Sequence, residues 1–131
     1  MTKKELITSI LVELGYRPRT DEEGDVAVRY QMKTVYFLTG DEDEKYMVAL
    51  LPQFAGIEEG EETLTLVTCN KLSREIKLAK VYVDRTLRNV SACCEFFYTD
   101  VESLKENIIH ALNILGVVRS AYHNAGRELA E

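Results

Sequence analysis

The cysteines and histidines are the side chains of this sequence that could act as nucleophiles or metal ligands. Cys93 and Cys94 are neighbours in a β-prone run, so they point to opposite faces of a strand and cannot hold one tetrahedral metal ion. Cys69 has no flanking motif that would activate a thiol, and we expect it to be small, apolar and buried. His110 and His123 are 13 residues apart, which is not a spacing that brings two imidazoles together on a helix. We expect both histidines at the surface.

Two acidic clusters could bind a cation or supply catalytic carboxylates. The run of residues 41–44 is followed by Lys45, where a calcium loop would need another oxygen ligand, so we interpret it as a solvated hairpin tip. Four glutamates between residues 58 and 62 suit a helix N-terminus better than an acid–base pair. The glycines form neither a dinucleotide-binding motif nor a P-loop, and no serine lies in a nucleophile elbow. The sequence therefore predicts no metal ion, no cofactor and no enzymatic activity.

Length and charge narrow the class of protein further. The chain has 131 residues, and at roughly 150 residues per domain this predicts one domain over residues 1–131. Its 16 basic and 22 acidic residues give a net charge of −6, which repels nucleic acid and anionic lipid and argues against both as partners. No apolar run approaches the roughly 18 residues of a membrane span, and the N-terminal stretch lacks a signal-peptide pattern. An odd number of cysteines fits a reducing compartment, so we expect the protein in the cytoplasm.

The charge is distributed unevenly along the chain. Residues 21–62 contain twelve acidic and three basic side chains, whereas residues 71–88 contain six basic and two acidic ones. This favours an electrically polar molecule. Exposed charges mostly serve solubility, so we interpret the asymmetry as solvated turns and compensation of a helix dipole in preference to a binding patch.

Three segments have helical periodicity. Thr2 and Glu5 form a capping box before the first one, which ends at Gly15; an acidic, turn-rich link follows at residues 20–25. Residues 58–77 form a second helix-like segment with acidic residues at its start and basic residues at its end. Thr99 and Glu102 form another capping box before the longest helix. The apolar stripe of that helix, with a second edge at Ile109, Leu112 and Val117, consists of Leu104, Ile108, Ala111, Leu115, Val118, Tyr122, Ala125 and Leu129.

Five segments alternate in the manner of β-strands. Residues 26–31, 34–39 and 46–51 predict an antiparallel meander with a first turn at residues 32–33, which ends where Pro52 cannot donate to a ladder. Residues 79–83 and 90–97 predict a second hairpin, joined to the meander by one crossover helix. The fold class is therefore α+β, with a single antiparallel sheet in the order α-β-β-β-α-β-β-α. The terminal helix must cover this sheet, and part of its stripe could also be shared with a second subunit.

Together with this order of elements, several local sequence features resemble those of a known family. Asn70-Lys71-Leu72-Ser73 ends the middle helix, residues 77–83 enter a strand, and Glu95 and Phe97 precede the last helix. These features, over about residues 2–129, resemble the YbjN-like family, which has the type III secretion chaperone-like fold. In such proteins a second asparagine usually follows the first; here Ser73 stands at that place.

The resemblance implies a small acidic cytosolic module that binds other proteins and has no enzymatic activity. Such proteins are homodimers that serve as chaperones for an exported polypeptide or as regulators. A module of this kind works through apolar strips and strand edges that it offers to an extended peptide. The candidate contact residues are Val35, Phe37, Tyr46 and Met47 on the strands, with Leu115 and Tyr122 on the terminal helix.

Two other functions stay open at this point. The first is a small-ligand binding protein or enzyme with a pocket between the sheet and the C-terminal helix, where Cys94, Tyr98 or His110 would lie at the rim. Polar groups that converge on such a pocket cannot be recognised in sequence. The second is a chaperone dedicated to one exported effector, which would differ from the leading interpretation only in its partner.

Overall fold

A six-stranded antiparallel sheet organises the chain. The computed structural model describes residues 1–40 and 44–130, the last five for their backbone alone. The neighbouring strands lie in the order β1-β2-β3-β4-β6-β5 and all pair antiparallel. This confirms the predicted α+β class with one antiparallel sheet. In chain order the elements are α1 (Lys3–Glu13), β1 (Arg19–Thr20), β2 (Val26–Tyr30), β3 (Lys33–Leu38), β4 (Tyr46–Gly56), α2 (Glu62–Glu75), β5 (Ala79–Val83), β6 (Asn89–Phe97) and α3 (Val101–Ala130).

The strand β1 is the one element that the sequence does not predict. Its two residues pair with Ala27 and Val26 at the edge of the sheet, and the second of them, Thr20, falls in the stretch of residues 20–25 that we expected to be a turn-rich link. A two-residue strand is too short to show an alternating pattern. The acidic turn that follows it, residues 21–25, consequently begins and ends at the sheet.

β4 extends five residues beyond its predicted end. A β-bulge between Leu51 and Ala55 takes Pro52 out of the regular ladder, so its missing N–H leaves no ladder bond unmade. Gln53 adopts a positive φ of 48° in this bulge, and its N–H donates to Ser91 Oγ at 2.8 Å. The prediction that Pro52 ends the strand is therefore wrong.

A two-residue turn joins β2 and β3. Gln31 and Met32 both have positive φ, 49° and 69°, as a type I′ hairpin turn requires. Neither residue is Gly, Asn or Asp, so the sequence places the turn one residue too late. The turn is held to α3, because Tyr30 Oη donates to Asn113 Oδ1 at 3.1 Å and the Arg119 guanidinium donates to the Gln31 carbonyl.

The capping residue of α3 differs from the predicted one. Asp100 Oδ1 accepts from the Ser103 N–H at 2.8 Å, and Ser103 Oγ accepts from the Asp100 N–H at 3.1 Å. This reciprocal pair lies one residue later than the predicted box of Thr99 and Glu102. A cap is decided by which side chain reaches the first-turn amides, and two neighbouring candidates cannot be separated by spacing alone.

The other two helices begin and end near their predicted bounds. In α1, Thr2 Oγ1 accepts from the Glu5 N–H at 3.1 Å as predicted. α2 is shorter than the segment 58–77 and begins after Glu61, which makes no side-chain capping bond. Three of the four glutamates of the 58–62 cluster therefore lie before the helix.

One hydrophobic core lies between the sheet and the three helices. Ile7 and Leu11 of α1, Leu72 of α2 and the stripe of α3 meet the same face of β2 to β6 there. Within the described residues no helix combines the length and the apolarity needed to cross a bilayer. The side chain of Leu129 and the acidic residues 41–43 lie outside the described part of the chain.

The stripe of α3 packs into this core as predicted, but its second edge does so only in part. Every stripe residue from Leu104 to Ala125 except Tyr122, which is partly buried, is at most 5% exposed. Leu112 is buried, whereas Ile109 and Val117 are 37% and 56% exposed. The stripe of this helix therefore packs against the chain's own core, and Ile109 and Val117 leave aliphatic surface exposed beside it.

Two adjacent isoleucines of α3 test this assignment of faces. Ile108 is fully buried and Ile109 is 37% exposed. We expect Ile108→Ala to lower the free energy of unfolding by about 2–5 kcal/mol, because it leaves a cavity in the core. Ile109→Ala is the matched control and should cost less than about 1 kcal/mol. Urea denaturation followed by circular dichroism measures both, and equal losses would contradict the described orientation of α3.

Candidate functional site: the open face of the sheet

The helices α1, α2 and α3 pack on one face of the sheet, and no element of residues 1–40 and 44–130 forms a layer over the other face. Ala49 and Cys94 belong to the core, whereas their chain neighbours Leu50 and Cys93 point away from it. Side chains of the second face belong neither to the core nor to the side chains that pack around it, and except for the buried Cys93 those named below are partly or fully exposed. We call this surface the open face. It includes Tyr36, Leu38, Tyr46, Val48, Leu50, Pro52, Lys80, Tyr82, Cys93, Glu95 and Phe97.

The strand register places apolar side chains side by side across the open face. Tyr36 pairs with Leu50, and Leu50 pairs with Cys93. In the next row Leu38 pairs with Val48. Cross-strand neighbours on one face lie within contact distance of one another. The result is a continuous, partly exposed apolar surface, and such surfaces on soluble domains mark contacts with other molecules.

A polar cluster stands within this surface. Glu95 accepts from Lys80 Nζ at 2.5 Å and from Tyr46 Oη. The hydrogen bond from Lys80 lowers the pKa of Glu95, and the bond to Glu95 raises the pKa of the Tyr46 hydroxyl. The Tyr46 ring lies against the ring of Phe97 with 5.0 Å between centroids, and Phe97 is 78% exposed. At neutral pH this cluster holds one negative and one positive charge that compensate each other.

A cleft of about 420 Å³ lies where the acidic turn meets the open face. Its apolar side is formed by side chains of β3 and β4, and its rim by the turn between β1 and β2. Among the described residues that line it, none is basic. The lining residues are Tyr36, Leu38, Leu50 and Pro52 on the apolar side, and Asp21, Glu22, Glu23 and Asp25 on the rim.

Two of the four rim carboxylates hold the turn in place. Asp21 Oδ1 accepts from the N–H groups of Glu23 and Asp25, both at 2.9 Å, and Asp25 Oδ1 accepts from the Thr39 N–H at 3.0 Å. Glu22 and Glu23 are exposed. The turn is thus fixed by its aspartates, and its glutamates present charge to the cleft.

The outer edge of the sheet at β5 is closed by a side chain of α2. Ser73 Oγ accepts from the Val81 N–H at 2.9 Å and donates to the Val81 carbonyl at 3.1 Å. Both backbone groups that Val81 would offer to an added strand are therefore occupied. Exposed sheet edges pair with other chains unless they are protected, and Ser73 removes the backbone groups of Val81 from such pairing.

Four of the six predicted contact residues lie in the core. Val35, Phe37, Met47 and Leu115 are at most 1% exposed, so their side chains have no surface to offer a partner, and the expectation for these four is corrected. The alternation of the strands identifies an apolar face but does not say which face the helices cover. On β3 and β4 the helices cover the face of Phe37 and Met47.

The other two predicted residues retain some exposure. Tyr46 lies on the open face. Tyr122 is partly buried on α3, where its ring meets that of Phe54 edge-on at 5.4 Å between centroids. The contact role of both residues stays a prediction, and the open face adds residues that the sequence analysis did not select, Leu38, Val48 and Leu50.

A signal for the open face was present in the sequence. Residues 46–51 of β4 are apolar at every position, whereas a strand with one solvated face alternates between apolar and polar residues. A strand that is apolar on both faces needs cover on both. The chain supplies cover on one side of β4 only.

The thiols are inert in this structure. All three cysteines are buried and unpaired, as expected for Cys69. Burial raises the pKa of Cys69 and Cys93 to about 11 and that of Cys94 to about 12. Cysteine reacts as the thiolate, so these groups are protonated at neutral pH. Cys93 and Cys94 point to opposite faces of β6, as predicted.

The structure places the three residues named for the rim of a small-ligand pocket in different surroundings. Cys94 is in the core, Tyr98 is partly buried against the core, and His110 is exposed on α3. A cavity between the sheet and α3, beside Leu51 and Leu115, has a volume of about 10 Å³, which is room for about one water molecule. That space cannot accept a metabolite.

Solved structures share this architecture at low sequence identity. YbjN from E. coli, described as a candidate transcription regulator, is 10% identical over 94% of this chain and 92% of its own, with a TM-score of 0.69. An uncharacterized protein from Methanothermobacter thermautotrophicus is 13% identical over 95% and 96%, with a TM-score of 0.62. A chain of the heterodimeric ExoU–SpcU complex from the type III secretion system of Pseudomonas aeruginosa is 13% identical over 88% and 96%, with a TM-score of 0.52.

These similarities establish the fold. No protein-family model matches the chain, and no curated protein matches it in sequence. The protein has the YbjN-like, type III secretion chaperone-like fold, which confirms the resemblance found in the sequence. Identities of 10% and 13% establish a shared fold but do not transfer the residues of a site.

The serine at the β5 edge provides a test of the site. We expect Ser73→Ala to increase the hydrogen-exchange rate of the Val81 amide about fivefold to tenfold, because the amide loses its acceptor. Ser120→Ala, at an exposed position of α3, is the control and should leave that rate unchanged. Amide exchange followed by NMR measures both variants. An unchanged Val81 rate in Ser73→Ala would show that Ser73 does not protect the edge.

Proposed function

We propose that this protein is a protein-binding module, chaperone-like or regulatory and without enzymatic activity, and that the open face is its contact surface. The observation that carries the proposal is an apolar sheet face that stays partly exposed on the side of the sheet opposite the core. Apolar surface gains roughly 25 cal/mol per Å² when it is removed from water. A partner that covers Tyr36, Leu38, Val48 and Leu50 would gain this free energy.

The face is a better contact surface than the edges. The β5 edge is occupied by Ser73, and β1 at the opposite edge is only two residues long. A partner strand that extended the sheet would find few backbone groups in register. We therefore propose that the partner lies over the sheet and contacts its side chains.

The structural neighbours support a role in protein partnering. The ExoU–SpcU structure is a heterodimeric complex of a secretion system, and YbjN is described as a candidate transcription regulator. Both descriptions fit a fold that acts through contacts with other macromolecules. Three buried, unpaired cysteines are typical of a reducing compartment, which supports a cytoplasmic location.

Site-specific photo-crosslinking tests the proposed surface. A photoreactive amino acid at residue 48 or residue 50 should give protein adducts in living cells that express the chain natively, because both positions lie on the open face. The same amino acid at residue 106, an exposed position of α3, is the control. Gel mobility and mass spectrometry of the adducts provide the measurement. If residues 48 and 50 give no more adduct than residue 106, the open face is not the contact surface.

We also propose that the protein is a homodimer that associates through its helical side. Aliphatic side chains remain exposed there on two helices that pack together, Val67 on α2 at 48% and Val117 on α3 at 56%. This assignment leaves the open face available to a different partner. It is also consistent with the homodimers implied by the family resemblance.

Light scattering after size-exclusion chromatography tests the dimer. The wild-type chain should have twice the mass of one chain, and Val67→Ser combined with Val117→Ser should have the mass of one chain, because the association loses its apolar contacts. Leu50→Ser on the open face is the matched control and should stay dimeric. A wild-type monomer, or a dimer lost only in Leu50→Ser, would overturn this assignment.

A further inference from the structure

The cleft beside the acidic turn carries information about the chemistry of the partner. The inference rests on the proposed function, because it names what the open face binds. The apolar lining of the cleft is part of the open face, so an extended segment that lies over β3 and β4 would pass it. The rim above this lining carries carboxylates and no basic residue.

The rim carboxylates suit an elongated cation better than a metal ion. Within residues 1–40 and 44–130 no three His, Cys, Asp or Glu side chains converge closely enough to hold a metal ion. Calcium requires about six to eight oxygen ligands around one point, and one oxygen each of Asp21 and Asp25 already accepts backbone N–H groups. The negative charge is spread along a rim above an apolar surface.

Lysine and arginine have the shape and charge that this arrangement complements. Their methylene stems lie on apolar surface while the charged head stays near water, and Leu38, Leu50 and Pro52 provide such a surface. The ring of Tyr36 in the same lining can face a cation. Glu22 and Glu23 then supply exposed carboxylates for the head group.

We propose that the open face binds an extended segment of another polypeptide that combines apolar residues with a lysine or arginine, and that the cation of this residue enters the cleft beside the acidic turn. The apolar residues of the segment cover Val48 and Leu50. The cation sets the position of the segment along the face.

A second copy of the chain fits this surface less well. Lys80, one of the basic residues on this side of the sheet, already pairs with Glu95 at 2.5 Å. Each copy also carries a net charge of −6, so two acidic turns would approach against repulsion. A cationic segment of a different protein meets neither obstacle.

Selection from a random 12-residue peptide library displayed on phage tests the proposal. The wild-type protein should enrich peptides that contain apolar residues together with a lysine or arginine. A selected peptide is then synthesised with its cationic residue and with norleucine in its place. Fluorescence anisotropy should show that the norleucine peptide binds the wild-type protein about fivefold more weakly, since one exposed ion pair contributes up to about that factor.

Charge variants of the protein locate the cation. Glu22→Gln combined with Glu23→Gln should remove the difference between the two peptides and spare the aspartates that hold the turn. Glu58→Gln combined with Glu106→Gln is the matched control: it changes the net charge equally at two exposed positions outside the cleft and should preserve the difference. Circular dichroism verifies that each variant is folded.

The outcomes separate this inference from the proposed function. If the selected peptides are apolar without a cationic residue and bind the Leu50→Ser variant more weakly than the wild type, the open face binds polypeptide but the cleft does not select for a cation. If both charge variants weaken cationic peptides equally, the attraction is unspecific and the inference falls. If no peptide is enriched, or if a dimer covers the open face, the inference falls and the proposed contact surface falls with it.

Discussion

The sheet is covered by helices on one side only, and the other features of the molecule depend on this asymmetry. The three helices meet a single core on one face of β2 to β6. β4 lies in the middle of the sheet and is apolar on both faces. Its side chains are buried on the core side and partly exposed on the other. Burial of the first face stabilises the fold, and the second face retains partly exposed apolar surface.

Three features around the open face limit the kind of partner that fits it: Ser73 at the β5 edge, the Glu95 cluster and the acidic turn. Ser73 occupies both backbone groups of Val81, which protects the β5 edge from an added strand. The Glu95 cluster places compensated charges among apolar side chains, so it adds polarity without net charge. The acidic turn stands over one end of the face and is fixed by backbone bonds to its own aspartates. Together they favour a partner that lies over the sheet with its charge at one end.

The chemistry of the chain agrees with a binding role. The thiols are buried and protonated, the cavity beside α3 has a volume of about 10 Å³, and His110 is exposed to solvent. The larger cleft combines an apolar side with a charged rim. That combination matches the shape and charge of the cationic side chain that we propose for the partner.

The sequence by itself determined the class of fold and most of its elements. The period of the α3 stripe, the alternation of the strands and the Thr2 cap are local properties, and the structure confirms them because each depends on residues a few positions apart. The turn at Gln31 and the cap at Ser103 each lie one position away from the predicted place, because the turn has no Gly, Asn or Asp and the cap has two neighbouring candidates. The bulge at Pro52 depends on a hydrogen bond from Gln53 to Ser91, which lies 38 residues away in the chain. Only the tertiary structure decided which face of the sheet the helices cover. That choice placed Val35, Phe37 and Met47 in the core and left Leu38, Val48 and Leu50 outside it, because two apolar faces of one strand look alike until a distant helix packs on one of them.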